Sequence, residues 1–277
     1  PIHNPNQNNK VRDPVSDAYK SFAKSVQEFG GDRVSLVTTN YDMVPEYMCY
    51  KYAGGMLVYY PFSENEVEFC DIGGRKDRFA GICREHAPGP VLCKLHGSIN
   101  YFMSEQNLET GCCDSAKLSL IANTPKEKNI GYSYPNGNPP AIMAVDAIYE
   151  LQQHSEQLAP AVIPPTYAKL EGHSWLRQIW KASLESLVSA TTWVFIGYSF
   201  PPSDGFMKSL VTSALMMRGT KNRFPKITVV DPCSDTEQRY EEIFGKDAFN
   251  FREEKFSEFM RGGHCEKVLY GHSTRAG

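Results

Sequence analysis

Four short motifs carry the residues of this 277-residue chain that can do chemistry. Thr38-Thr39-Asn40-Tyr41-Asp42 sets an amide two residues before a carboxylate, and Lys94-Leu95-His96-Gly97-Ser98 sets an imidazole before a glycine turn. Gly197-Tyr198-Ser199 sets a hydroxyl after a glycine, and Asp231 ends the run Ile227 to Val230. Imidazoles titrate near neutrality and accept a proton at cellular pH. Amides and carboxylates orient hydroxyls and water, and glycine lets backbone approach a ligand closely. An amide, an imidazole, a hydroxyl beside a glycine and a carboxylate can together orient a polar ligand and water and take up a proton. Taken singly the residues have plainer roles. Asn40 or Asp42 makes an Asx turn or helix cap, His96 is a structural histidine, and Gly197 is a strand exit. Asp231 caps the next helix or holds a ribose hydroxyl. Their occurrence together is what points to a site.

Each motif closes an apolar run of four or five residues. Val34 to Thr38, Val91 to Leu95, Trp193 to Ile196 and Ile227 to Val230 lack polar alternation, as strands covered on both faces do. Helical periodicity separates them. From Tyr19 to Phe29 it places Phe22, Val26 and Phe29 on one stripe, with Gly30-Gly31 as a stop. Trp175 to Ala190 aligns Leu176, Ile179, Trp180, Leu184, Leu187 and Val188, so both tryptophans read as core and not as a base-stacking platform. Gly205 to Met217 and Thr236 to Phe244 read as further helices, the first capped by Ser203 or Asp204. This alternation predicts an α/β fold: a Rossmann-like parallel sheet with helices on both faces. In such sheets ligands bind beyond the carboxyl ends of the strands, where the motifs fall.

Between Tyr101 and Pro165 the periodicity fades, and Asn, Ser, Gly and Pro cluster around Thr124 to Pro140. We expect a smaller inserted lid module there, irregular or helical. The organisation expected is then residues 1–100 and 166–277 as two parts of the Rossmann-like domain, with 101–165 as the insertion. Lys169, after it, reads as a solvated lysine.

With 41% hydrophobic and 22% charged residues the chain can bury a substantial core. Its 29 basic and 32 acidic residues leave a net charge of −3, without the basic footprint of a nucleic-acid binder. No run approaches the roughly 20 apolar residues that span a bilayer, so the expected setting is cytoplasmic, with no membrane partner. Cys49, Cys70, Cys83, Cys93, Cys112, Cys113, Cys233 and Cys265 are scattered through a chain too large to need staples and are expected to be reduced. Only Cys112 and Cys113 are close in sequence, and neighbours cannot both face one tetrahedral ion, so no metal is expected.

TTNYD at 38–42, KLHGS at 94–98, IGYS at 196–199 and VD at 230–231 resemble, in order, the later motifs of sirtuin-type NAD-binding domains. The likeness spans roughly residues 30–235. It is strongest to a bacterial sirtuin-like branch, in which PAVIPPTYAK at 160–169 and GYSFPPSD at 197–204 also have counterparts. The resemblance implies NAD as substrate. It makes His96 the catalytic histidine and sets Asn40 and Asp42 at the nicotinamide ribose and its pocket. Gly197, Ser199 and Asp231 then lie along the adenosine half, and Thr38, Thr39 and Gly97 also belong to the cofactor-binding set.

The sequence departs from that pattern in two places. No Gly-Ala-Gly-x-Ser phosphate loop precedes the helix at Tyr19, which leaves two readings open: a chain that lacks its first strand and that loop, or a domain without the loop and with weakened hold on a dinucleotide. The run Val268 to Ser273 is faintly similar to a strand and glycine turn, but His272 would obstruct a phosphate. The paired zinc cysteines of protein-deacetylating sirtuins are also missing, as is a recognisable acetyl-lysine strand. Both absences favour NAD hydrolysis, in the setting of antiphage defence that the branch implies. The alternatives are protein deacylation or ADP-ribosyl transfer, and a non-catalytic sensor of NAD or ADP-ribose. Relatives of this kind also imply a homo-oligomer or a fused sensor module.

Overall fold

The four apolar runs form strands that pair in parallel. In the computed structural model, which describes residues 14–42, 44–54, 56, 58–61, 67–70, 89–104, 118–121, 158–164, 173–219 and 224–270, β1 (Ser35–Thr38) lies beside β3 (Val91–Lys94). Their register runs from Ser35 opposite Val91 to Thr38 opposite Lys94, so the TTNYD and KLHGS loops leave the same edge. A second parallel sheet has the order β7 (Thr192–Ile196), β8 (Lys226–Val230), β9 (Asn250–Arg252). Ile196 lies opposite Val230, which brings the glycine turn and Asp231 to one edge. The middle strand β8 is buried from Ile227 to Val230, as its unbroken apolar run requires.

The helices flank these sheets. α1 (Pro14–Phe29) starts at Pro14, ahead of the Tyr19 stripe, because proline is preset for a first helical turn. Its Ala23 and Val26 enter the main core, while Ala18 packs in a second cluster with Val230, Phe259 and Met260. α2 (Val44–Tyr52) directly follows the TTNYD loop, and its sequence shows no apolar stripe to announce it. α3 (Ser174–Ser189) buries Trp175, Leu176, Ile179 and Trp180, and the Trp180 indole N–H donates to the Leu95 carbonyl at 2.9 Å. Each aromatic ring of this size buries on the order of 150–250 Å², an upper bound of roughly 4–6 kcal/mol of driving force. The two tryptophans are therefore core, as their spacing predicts.

α4 (Gly205–Arg218) ends in a buried arginine whose guanidinium reaches the carbonyls of Leu187, Val188 and Ala190 at 3.0, 2.7 and 2.6 Å. Those carbonyls close α3, so Arg218 serves as its C-terminal cap from another element. α5 (Asp235–Phe244), α6 (Phe256–Arg261) and α7 (His264–Tyr270) complete the described chain. Val268 to Tyr270 are thus helical, which corrects the likeness of that run to a strand. Among the described residues no helix is long and apolar enough to cross a membrane.

The described parts of 101–165 are strands, where an irregular or helical module is expected from the sequence. β2 (Val67–Cys70), β5 (Leu118–Ile121), β4 (Gly97–Ser104) and β6 (Leu158–Val162) form a mixed sheet in that order. β2 and β5 are parallel, and β4 runs antiparallel to both β5 and β6. LSLI and LAPAV are too short to show a period, and pairing with β4 sets their conformation. Lys169, Cys83, Cys112, Cys113, Thr124 to Pro140 and Gly271 to Ser273 lie outside the described residues.

Gly97 joins the two systems. Its φ is +79°, and a Cβ there would overlap the Ala161 carbonyl oxygen of β6. Gly197 has a φ of +63° with nothing within 4 Å of such an atom. The two glycines therefore answer different needs, close approach in one case and backbone conformation in the other. Gly197→Ala should cost about 1–2 kcal/mol for the left-handed conformation alone. Gly97→Ala should add an overlap penalty of about 1–3 kcal/mol on top of that. Urea denaturation measures both, and equal losses would contradict the close approach at Gly97.

Candidate functional site

Lys94, the last residue of β3, has no solvent exposure. Removing an ammonium from water costs several kcal/mol unless acceptors replace the hydration shell. Three do. Glu46 Oε1 of α2 lies 2.7 Å from Nζ, Ser98 Oγ lies at 2.8 Å, and the Asp42 carbonyl accepts the third bond. Glu46 Oε1 also accepts from the Tyr60 hydroxyl at 2.6 Å, and Ser98 Oγ donates to the Tyr41 carbonyl at 3.0 Å. The loop after β1 is thereby tied to the turn after β3. Lysine was not among the site residues expected from the sequence. Its signal was there, a lysine inside the apolar run VLCKL, since lysine is almost never fully buried without a partner.

Within the TTNYD loop, the Asn40 amide donates to Thr38 Oγ1 at 3.0 Å, and Asp42 Oδ1 accepts from the Val44 amide at 2.9 Å. Asp42 thus caps the start of α2, the local role its residue type offers. Asn40 is exposed at the edge, with Thr38 and Thr39 half-buried before it.

His96 occupies the turn between β3 and β4 and is only 4% exposed. Its carbonyl accepts from the Ile163 amide at 2.8 Å. The ring lies 6.2 Å from that of Tyr41, centre to centre, and its Nε2 is 3.8 Å from Asp204 Oδ2. Asp204 is itself buried and doubly used: Oδ1 accepts from the Met207 amide at 3.2 Å, capping α4, and Oδ2 accepts from the Tyr198 hydroxyl at 2.7 Å. Burial first, then the bond to Asp204 and the charges of Asp204 and Tyr240, push the Tyr198 phenol far above its usual range. Tyr198 therefore stays a donor. The cap at Asp204 is readable from sequence; that its second oxygen turns toward His96 depends on α4 meeting the β3–β4 turn.

The last two motifs meet next to this cluster. The Gly197 amide donates to the Val230 carbonyl at 2.9 Å, and Tyr240 of α5 donates to the Tyr198 carbonyl at 2.7 Å. Arg239 donates to the Ser199 carbonyl at 3.1 Å. Phe200 follows with a left-handed φ of 47°, held by its ring against Tyr198 and Tyr240 at 4.9 and 4.8 Å. Such a backbone costs on the order of 1–3 kcal/mol and persists where packing over-determines it. Asp231 is buried, and its Oδ1 accepts from the Cys233 amide at 2.9 Å, an Asx turn leading into α5.

The structure thus brings Tyr41, Asp42, Lys94, Ser98, His96, Tyr198 and Asp204 into one connected set, with Asn40 on its exposed rim. Asp231 leads into α5, and Ser199 is held from α5 by Arg239. The thiols stand apart from this chemistry. Burial, with a contribution from Glu46, pushes Cys49 up to about 12, and burial, partly offset by a side-chain hydrogen bond with Ser183, pushes Cys93 up to about 11.

No family model matches the chain, and no curated protein matches it. Four solved chains match. One is a point mutant of a Sir2 homologue in complex with ADP-ribose, 14% identical over 92% of this chain and 68% of that chain, with a TM-score of 0.41. Those values fall below the level at which a likeness shows a shared fold. The α/β class with parallel strands stands on the pairings described above.

Two outcomes follow from the site geometry. Asp204→Ala removes a helix cap, about 1 kcal/mol, and strands the buried Tyr198 hydroxyl, about 1–3 kcal/mol more. Asp204→Asn keeps the cap and should melt close to the parent; an equal loss in both variants would contradict the capping assignment. Alkylation with iodoacetamide at pH 8, read by peptide mass spectrometry, should label exposed Cys233 well before Cys49, Cys93 and Cys265, because only thiolates react and buried thiols stay protonated.

Proposed function

We propose that this chain hydrolyses NAD, breaking the bond between nicotinamide and ribose to give nicotinamide and ADP-ribose. The observation that carries the reading is the position of His96. It sits at the carboxyl end of a parallel strand, near the TTNYD loop that bears Asn40 and near the buried Asp204 carboxylate with its half-buried Tyr198 partner. The motif resemblance to sirtuin-type domains supplies the substrate.

The nicotinamide of NAD is a pyridinium, so it departs as a neutral base and needs no acid, unlike the alcohol leaving group of a glycosidase. As the carbon–nitrogen bond breaks, the ribose carbon acquires oxocarbenium character. Water then forms the new carbon–oxygen bond and gives up a proton, which His96 accepts directly or through a ribose hydroxyl. Asn40 orients ribose and water. Asp42, committed to the α2 cap, keeps the Asn40 loop in shape and does not itself touch substrate. Thr38, Thr39 and Gly97 line the nicotinamide side, and Gly197, Ser199 and Asp231 follow the adenosine half. No metal is assigned a step. The setting that accompanies this reading is cytoplasmic antiphage defence in bacteria, with a homo-oligomer or a sensor module as partner.

Purified protein incubated with NAD should release nicotinamide at a rate that acetylated peptide leaves unchanged. His96→Ala should lower that rate about 10²- to 10⁴-fold. An unaltered rate in His96→Ala removes it as base, release that requires acetyl-peptide favours deacylation, and calorimetric binding of NAD without release favours a sensor.

A further inference from the structure

We infer that Lys94 and Ser98 are positioning residues: together they hold the Asn40–Asp42 loop at a fixed distance from His96, so that KLHGS acts as a brace around the histidine. This deepens the hydrolase reading and rests on it for the activity readout alone.

The argument begins with donor counting. An ammonium has three protons and no acceptor. The Lys94 ammonium has three acceptors, on Glu46, Ser98 and the Asp42 backbone. A serine hydroxyl has one proton, and because Ser98 Oγ accepts from Lys94, that proton goes to the Tyr41 carbonyl. The direction of every bond is therefore fixed. Two consecutive loop carbonyls, Tyr41 and Asp42, are held by side chains placed on either side of His96. β1 ends at Thr38, so the strand ladder does not reach these carbonyls, and the pair from the neighbouring motif takes over its task.

The same arrangement divides the motif between two partners. Lys94 and Ser98 grip the TTNYD loop, whereas the His96 ring between them faces Asp204 and lies near Tyr41. Gly97 makes this possible through its left-handed turn and its close approach to Ala161. Glu46 then locks the ammonium from α2, the helix that Asp42 itself caps, so loop, helix start and strand end close a small ring of contacts. Displacing an orienting group by about 1 Å costs on the order of 10²-fold in rate. An exposed amide such as Asn40 depends on a brace of this kind for its placement.

Three variants test the inference. Ser98→Ala removes the bond to Tyr41 and leaves Lys94 its other two acceptors. Lys94→Met combined with Glu46→Gln removes the buried pair without stranding a charge. Leu92→Ala, a fully buried residue on the same strand that takes no part in the loop contacts, is the destabilised control. Hydrogen exchange of the segment spanning residues 39–46, beyond the end of β1, should quicken about 10-fold or more in the first two and stay at the parental rate in Leu92→Ala. For NAD hydrolysis, kcat should fall about 10- to 100-fold in the first two with KM changed less than about 3-fold, while Leu92→Ala keeps the parental kcat below its melting temperature. Parental loop exchange in both Ser98→Ala and the double variant would overturn the inference whatever the activity. Quickened exchange in a protein whose parent releases no nicotinamide would uphold the brace and reject the hydrolase reading. A matching fall in kcat for Leu92→Ala would reduce Lys94 and Ser98 to ordinary core residues and overturn the inference too.

Discussion

A buried ammonium with three acceptors governs the geometry at the carboxyl edge of β1 and β3. Lys94 cannot stay dry without Glu46, Ser98 and the Asp42 carbonyl, and those acceptors belong to α2, to β4 and to the loop that leads into α2. The cost of leaving a charge unpartnered in a low-dielectric interior couples all three. Packing of the strand and placement of the loop thus become the same energetic event, and the most water-soluble kind of side chain is the one the edge is built around.

A second carboxylate does comparable work beside His96. Asp204 caps α4 with one oxygen and meets Tyr198 and His96 with the other. The aromatic cluster of Tyr198, Phe200 and Tyr240 then holds the chain in a conformation that a phenylalanine rarely adopts. The histidine thus has a carboxylate with few conformational choices beside Nε2 and the Tyr41 ring close by. Rigid surroundings are what an orientation-dependent reaction requires, since no free energy is then spent on ordering them during turnover.

Much of this was legible in the residue order. The runs ending in Leu95 and Val230 announce their strands because a strand covered on both faces has no polar side to interrupt it, whereas β1 and β7, equally apolar in sequence, are only partly covered. The stripe from Leu176 to Val188 announces α3, and residue type offers an Asx turn or cap at Asp42 and a cap at Ser203 or Asp204, of which the structure uses Asp42 and Asp204. Other features escaped. Asn250–Arg252 is too short and too polar to read as β9, and α2 shows no stripe although Met48 and Cys49 enter the core. LSLI and LAPAV become strands by pairing with β4, a partner far away in sequence for the second of them. The run at Val268 has strand-forming residues yet packs as a helix beside α6, where tertiary contact overrides propensity.

The order of amino acids by itself determined that strands and helices alternate and that polar motifs fall at strand ends, because those properties depend on local periodicity and on which residue types stop a run. Tertiary structure alone decided which of those motifs touch. That Lys94 holds the loop of Asn40, that Asp204 turns an oxygen toward His96, and that Gly97 must yield to Ala161 all depend on distances between segments tens of residues apart. Such distances follow from packing the whole chain, since the contacts that set them are non-local and leave no periodic mark in sequence.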